Sequence, residues 1–283
     1  MATVSTQNGP AETAADRFVI VLVQPQHSGN IGSAARAMKN MGLHRLVVVD
    51  PPALDPMRVR WMAPGCDEVI AQMRIVNTVS EALEGCHRAI ATTARHRKGN
   101  QPVIDPAQLA ADHWDGIDTD QVTAVLFGRE DFGLSREDVD RCAQVLRIPT
   151  PEHASLNLAQ AVLLICHAWF EEGRSRGVEA TGRSLGGRRG FKSTSTLQTT
   201  SERDERADLG RIEPAADAVV ELLDRVGFTR GTTVERVRQT ALSSLQNAGL
   251  TVRDTDSLRG MVSRLQWALD HPGEDWTSSR KKP

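Results

Sequence analysis

The continuous apolar run Phe18–Val23 leads directly into His27-Ser28-Gly29-Asn30-Ile31-Gly32-Ser33-Ala34-Ala35-Arg36-Ala37-Met38. A strand with no polar alternation must be covered on both faces, which points to a parallel sheet flanked by helices. The polar, glycine-bearing stretch after it reads as a turn that opens a helix, with Arg36 about a turn and a half inside. The start of a helix offers unpaired N–H groups and a positive dipole end, so the place suits a phosphate or a developing oxyanion. Neither GxxxxGK[ST] nor GxGxxG follows this strand, which removes the usual support for nucleoside triphosphate or dinucleotide binding.

Further apolar runs recur at 46–49, 89–93, 124–127 and 145–148, with a weaker one at 73–76. Helical patterns fall between them at 31–41, 80–84, 136–142 and 156–172. In the first, Ile31, Ala34, Ala35, Met38 and Met41 share one face. The alternation predicts an α/β fold.

A net charge of -2 over 283 residues confines any nucleic-acid surface to local patches. Cys66, Cys86, Cys142 and Cys166 have no CxxC spacing, so we expect buried thiols in a reducing cytosol and no metal site. Residues 1–16 are polar and alanine-rich, without the charged and apolar regions of a signal peptide, and read as a frayed terminus. No apolar run approaches the roughly 18 residues of a membrane span, so a soluble, cytoplasmic protein without membrane partners is expected.

Composition shifts at Gly173. Gly173-Arg174-Ser175-Arg176 and Gly186-Gly187-Arg188-Arg189-Gly190-Phe191-Lys192 precede a polar run to Ser201. This reads either as a solvated tether or as an arm that orders on RNA phosphates. Amphipathic helices follow at 215–226, 233–247 and 255–269, with Asp254 or Thr255 as cap of the last and Gly249 ending the second. The organisation expected is an extension at 1–16, an α/β domain at 17–172, a basic linker at 173–212, a small helical domain at 213–271 and a tail at 272–283.

Two more loops follow strands. Gly128-Arg129-Glu130-Asp131-Phe132-Gly133-Leu134 carries two glycines that permit a sharp turn and close ligand approach, with carboxylates beside Arg129. Ile148-Pro149-Thr150-Pro151-Glu152-His153-Ala154-Ser155-Leu156-Asn157 is stiffened by prolines; Ser155 reads as the helix N-cap, while Asn157 and Gln160 are amides in want of partners. Thr92-Thr93-Ala94-Arg95 ends another strand with small and hydroxyl residues that suit a ligand passing close by.

Together the three loops resemble the three signature motifs of the SPOUT superfamily, SpoU (TrmH-type) branch: Gly29-Asn30-Ile31-Gly32 with Arg36, Phe127-Gly128-Arg129-Glu130 with Gly133-Leu134, and Ile148-Pro149 with Ser155-Leu156-Asn157-Leu158-Ala159-Gln160. Within the branch, 35–43 and Leu258-Arg259-Gly260-Met261 are similar to bacterial enzymes that methylate riboses of the tRNA anticodon loop. The resemblance implies a C-terminal trefoil knot, a homodimer, and S-adenosylmethionine bound by Thr92, Thr93, Ala94, Gly128, Ile148, Ala154, Ser155, Leu156 and Asn157. It implies catalysis by Arg36, with Asn30, Glu130 and Ser155 in support, on a ribose 2′-hydroxyl at position 32 of tRNA. Arg36, Arg95, Arg129, Arg188 and Arg189 would contact RNA. Ribosomal RNA methylation, including the antibiotic-resistance type, and a catalytically silent RNA-binding protein are the competing readings.

Overall fold

The computed structural model describes residues 13–94, 101–116, 121–151, 155–177 and 205–272. Arg95, Ala154, Arg188, Arg189 and the basic tail lie outside them. The chain divides into two compact units, Met1–Thr194 and Ser195–Pro283.

The first unit is a seven-stranded sheet in which every pairing is parallel, in the order β3-β2-β1-β6-β4-β7-β5. Its strands are β1 (Phe18–Val23), β2 (Arg45–Val49), β3 (Arg74–Val76), β4 (Arg88–Thr92), β5 (Val103–Ile104), β6 (Thr123–Phe127) and β7 (Gln144–Leu146). The helices are α1 (Ser28–Asn40), α2 (Pro56–Met62), α3 (Asp67–Gln72), α4 (Val79–Leu83), α5 (Pro106–Asp115), α6 (Arg136–Asp140) and α7 (Leu158–Ser175). β1 and β6 are buried along their whole length, which is why they carry no polar alternation. The predicted face of α1 is inward, with Ile31, Ala34, Ala35 and Met38 all buried.

Differences from the sequence reading have local causes. β7 stops at Leu146, two residues short of the predicted end; the Arg147 N–H still donates to the Ile104 carbonyl at 2.9 Å before Pro149, which has no N–H to offer. α7 is capped by Asn157, whose Oδ1 accepts from the backbone N–H groups of Ala159 (2.9 Å) and Gln160 (3.4 Å); Ser155 is not the cap. Asn157 and Gln160 are exposed, so neither is a buried amide needing a partner. α7 continues through Gly173, where a Cβ would stand 2.3 Å from Cζ2 of Trp114. That glycine serves helix packing and does not begin the linker. Thr13 and Asp16 form a capping box, and Asp16 also meets His44 Nε2 at 2.9 Å, so the end of the expected frayed terminus is tied down.

Phe18, Trp114 and Trp169 anchor the core beneath α5 and α7. The two indoles stack at 5.2 Å, and Trp114 Nε1 donates to the Trp169 carbonyl at 2.9 Å. Truncating such a side chain costs about 3–5 kcal/mol. All four cysteines are buried and free.

The second unit contains α8 (Leu209–Arg225), α9 (Val234–Ala248) and α10 (Val252–Asp270) around Ala207, Ile212, Ala216 and Leu242. α8 begins before the predicted 215 because the Asp208 side chain caps it by accepting from Arg211 N–H. α9 ends at Gly249, as read from the sequence, at φ +64°. Thr251 caps α10 and pairs with Asp254 in a capping box, one turn earlier than expected.

Candidate active site

Two hollows lie side by side at the carboxyl ends of the central strands, the edge where open α/β sheets hold ligands. The first, about 390 Å³, is lined by Thr92, Thr93, Ala94, Gly128, Ile148, Ser155 and Leu156, together with Phe132 and Leu134. Every cofactor residue expected from the sequence and lying in the described residues is therefore here, except Asn157. The volume falls within the roughly 300–1,000 Å³ of small-molecule sites. Thr92 is pinned as its Oγ1 donates to the Leu126 carbonyl at 2.8 Å, and Thr93 N–H donates to the Leu146 carbonyl at 3.0 Å.

Gly128 lets the second loop fold back on itself. A Cβ there would stand 2.0 Å from the Leu134 nitrogen and 2.1 Å from the Gly133 carbonyl carbon. Gly133 turns the chain at φ +70°, and its N–H donates to the Arg129 carbonyl at 2.8 Å. Arg129 forms a bidentate pair with Asp131 at 3.0 and 2.9 Å, so its charge is answered locally. Phe132 stands 65 % exposed on the same wall.

The second hollow, about 610 Å³, is lined by Gln26, His27, Ser28, Gly29, Asn30, Ser33, Arg58, Met62 and Asn157, among others. The wall between the two is a polar chain. Glu130 lines the first hollow and accepts from the Gln26 N–H (2.7 Å), the His27 N–H (3.3 Å) and Asn30 Nδ2 (2.8 Å). Asn30 Oδ1 accepts in turn from Asn157 Nδ2 at 3.1 Å. Burial pushes the Glu130 carboxyl up, but the bonds from Asn30, Gln26 and His27 outweigh it and hold the group below its ordinary range. α1 has no acidic residue in its first turn and no side-chain cap from His27, so this remote carboxylate supplies the anion its N-terminus favours.

Two expectations change as a result. Gly29-Asn30-Ile31-Gly32 is not a turn but the first part of α1, and much of its attraction for an anion is met by Glu130. Arg36 is exposed two turns along the helix, lines neither hollow, and has no hydrogen-bond or ion-pair partner among the described residues. Asn30 is bonded to both Glu130 and Asn157; none of the three holds Arg36. Ser155 is exposed on the rim of the first hollow.

Sequence reasoning missed α2, whose Arg58 and Met62 line the second hollow. The signal was present in Asp55-Pro56: Asp55 caps the helix by accepting from Met57 (2.9 Å) and Arg58 (3.1 Å), with Pro56 at the first position. Asp105-Pro106 opens α5 in the same way. Ser28, bonded to the Ala53 carbonyl and to Asp55 N–H, joins α1 to this loop.

A parallel α/β domain with a ligand-sized cleft at its strand ends, walled by loops after β4, β6 and β7, defines a small-molecule-binding α/β domain of the enzyme type. Residues 17–167 match the model of the SpoU rRNA Methylase family, and the chain belongs to that family. It is 40% identical over 190 residues to the tRNA (cytidine/uridine/adenosine-2'-O-)-methyltransferase TrmJ of Pseudomonas aeruginosa, covering 65% of this chain and 70% of that one. The match to TrmJ of Pectobacterium atrosepticum is 38% identical and spans 54% of this chain and 63% of that protein. Among solved structures, TrmJ from Z. mobilis ZM4 superposes with a TM-score of 0.67 at 29% identity, covering 88% of this chain and 98% of that chain.

Proposed function

We propose that this protein transfers a methyl group from S-adenosylmethionine to a ribose 2′-hydroxyl of tRNA, at cytidine or uridine 32 of the anticodon loop. The observation that carries the reading is the pair of hollows divided by Glu130, Asn30 and Asn157: one of cofactor size, the other polar and open beside it. The relatives named as tRNA 2′-O-methyltransferases support the substrate class.

The first hollow fits the cofactor in volume and in its wall, where Thr92, Thr93 and Ala94, the glycine loop and Ile148 present backbone and small side chains at close range. Bound there, S-adenosylmethionine supplies an electrophilic methyl group. A guanidinium stays protonated in proteins, so Arg36 acts as a forked donor to the 2′-hydroxyl oxygen and the neighbouring phosphate, stabilising alkoxide character, rather than as a base. The proton leaves to a phosphate oxygen or to water. Asn30 and Glu130 hold the start of α1, and Ser155 offers a hydroxyl at the rim.

Arg36 lies outside the cleft of its own chain, and Leu163 and Leu164 are exposed on α7. We therefore assign completion of the site to a homodimer. Threading of the C-terminal segment of the first unit into a trefoil knot, the helical second unit as an RNA-binding domain and a cytoplasmic location belong to the same proposal. Among the described residues, no helix is long and apolar enough to cross a membrane, and no His, Cys, Asp and Glu cluster could hold a metal.

The test is methyl transfer from labelled S-adenosylmethionine to unmodified tRNA and to ribosomal RNA, with mass spectrometry locating the 2′-O-methyl nucleotide. Labelling of tRNA at position 32 is expected. Labelling of ribosomal RNA alone would move the substrate, and cofactor binding that is absent by calorimetry would leave only an RNA-binding role.

A further inference from the structure

Resting on the reading of the second hollow as the RNA side of the site, we infer that Trp61 and Arg58 form a stacking platform for an unpaired nucleotide next to the target ribose. α2 is held by its inward residues: Val59 is buried, and its carbonyl oxygen lies 2.2 Å from where a Cβ on Gly32 would stand, so the helix is pressed directly onto α1. Met62 also lies against α1, 2.9 Å from where a Cβ on Gly32 would stand, while Met57 and Trp61 are turned to solvent. Trp61 is 73 % exposed and Met57 80 %.

The Arg58 guanidinium carbon sits 5.1 Å from the centre of the Trp61 ring. Arg58 also lines the second hollow, and its Nε lies 3.8 Å from where a Cβ on Gly29 would stand. One side chain thus joins the start of α1 to an exposed indole. The cation holds the ring by its π-face, and no second aromatic ring covers it among the described residues. α2 carries Arg58 and Arg60 and no carboxylate.

An exposed indole plane held by the Arg58 cation, beside a polar hollow whose lining carboxylate, Asp55, is engaged by the N–H groups of Met57 and Arg58, is complementary to a splayed base and its phosphate. The same features disfavour a second copy of the chain as occupant. A two-fold interface centred on this patch would set Arg58 and Arg60 close to their own copies, cation against cation.

The experiment compares the full-length wild type with Trp61→Leu and Trp61→Phe on an unmodified tRNA anticodon stem-loop, recording RNA affinity, KM against kcat, cofactor affinity and oligomeric state. Trp61→Leu is expected to weaken RNA binding and raise KM by roughly 5- to 150-fold, with kcat and cofactor affinity unchanged. Trp61→Phe is expected to recover most of the loss, and RNA is expected to quench wild-type tryptophan fluorescence more than that of Trp61→Phe. RNA binding by Trp61→Leu equal to wild type overturns the platform alone, since the wild type still binds and methylates. A shift of Trp61→Leu to a smaller oligomer also overturns it, in favour of an interface between copies. A wild type that neither binds nor methylates RNA overturns both this inference and the function it rests on.

Discussion

The side-chain amide of Asn30 donates to the carboxylate of Glu130 at 2.8 Å, across a sequence separation of 100 residues. That bond joins the first helix to the loop after β6 and places a negative charge at the start of α1. It forms part of the wall between the cofactor-sized cleft and the polar hollow.

The bond should be measurable as a coupling. Asn30→Ala and Glu130→Ala in a double-mutant cycle are expected to give an interaction of about 1–2 kcal/mol in denaturant unfolding, as befits a charged but only partly buried pair. Since the Glu130 carboxyl sits below its ordinary value of 4.5, its contribution is present above about pH 4.5 and fades as pH falls through the lower folded value. Purely additive single variants would show that the loop is held by other means.

Arg36 offers the opposite case. Exposed and without a partner among the described residues, it should be replaceable without loss of stability, within about 0.5 kcal/mol. Arg36→Ala is nevertheless expected to abolish methyl transfer while calorimetry shows cofactor affinity nearly intact. Arg36→Lys should fail too, because a point cation lacks the fork. Retained turnover in Arg36→Ala removes Arg36 from the chemistry, and retained turnover in Arg36→Lys removes the need for the fork.

Gly128 has no room for a methyl group. With the Leu134 nitrogen 2.0 Å from the position a Cβ would take, Gly128→Ala must push apart the backbone of its own loop. A loss of about 1–3 kcal/mol or more is expected in thermal or denaturant unfolding, together with loss of cofactor binding. A variant of wild-type affinity would place the cofactor elsewhere.

His113 makes stability depend on pH. It is 3 % exposed and packed edge-on against Phe18 at 5.1 Å, and its Nε2 has no partner among the described residues. Burial pushes its pKa from an ordinary 6.5 down to about 4; a hydrogen bond with the Ala14 backbone opposes this, and the charges of Arg17 and Arg88 add to it. Between those values the unfolded chain binds the proton and the folded one does not. Stability is therefore full above about pH 6.5 and falls as pH drops towards 4, by roughly 3 kcal/mol from this group. Urea unfolding of His113→Phe at pH 7 and pH 5 should show a smaller acid loss than the wild type.

How far the sequence could be read depended on the range of the interaction. Phe18–Val23 declared itself because burial on both faces removes every polar position from a strand, and the inward face of α1 followed from a period of 3.6. Val103–Ile104 was invisible because two residues have no period. Gly173 read as a stop, since nothing local announces that Trp114 occupies the place of its Cβ. Ser155 looked like a cap two positions before Asn157, and only the path of the chain decided between them.

The sequence by itself determined every strand but Val103–Ile104, most helices, and the residues that gather around the cleft, since each depends on local pattern or on loops that must follow buried strands. Only the tertiary structure decided what those residues do to one another. Nothing in the order of residues says that Glu130 answers the dipole of a helix 100 positions away, that Arg36 stands outside the cleft, or that Arg58 lies over Trp61. Such relations come from the strand order β3-β2-β1-β6-β4-β7-β5, which sets β6 beside β1 and so brings the second loop to the start of the first helix. Hydrogen bonds and charge pairs act over a few ångströms of space, whatever the distance along the chain.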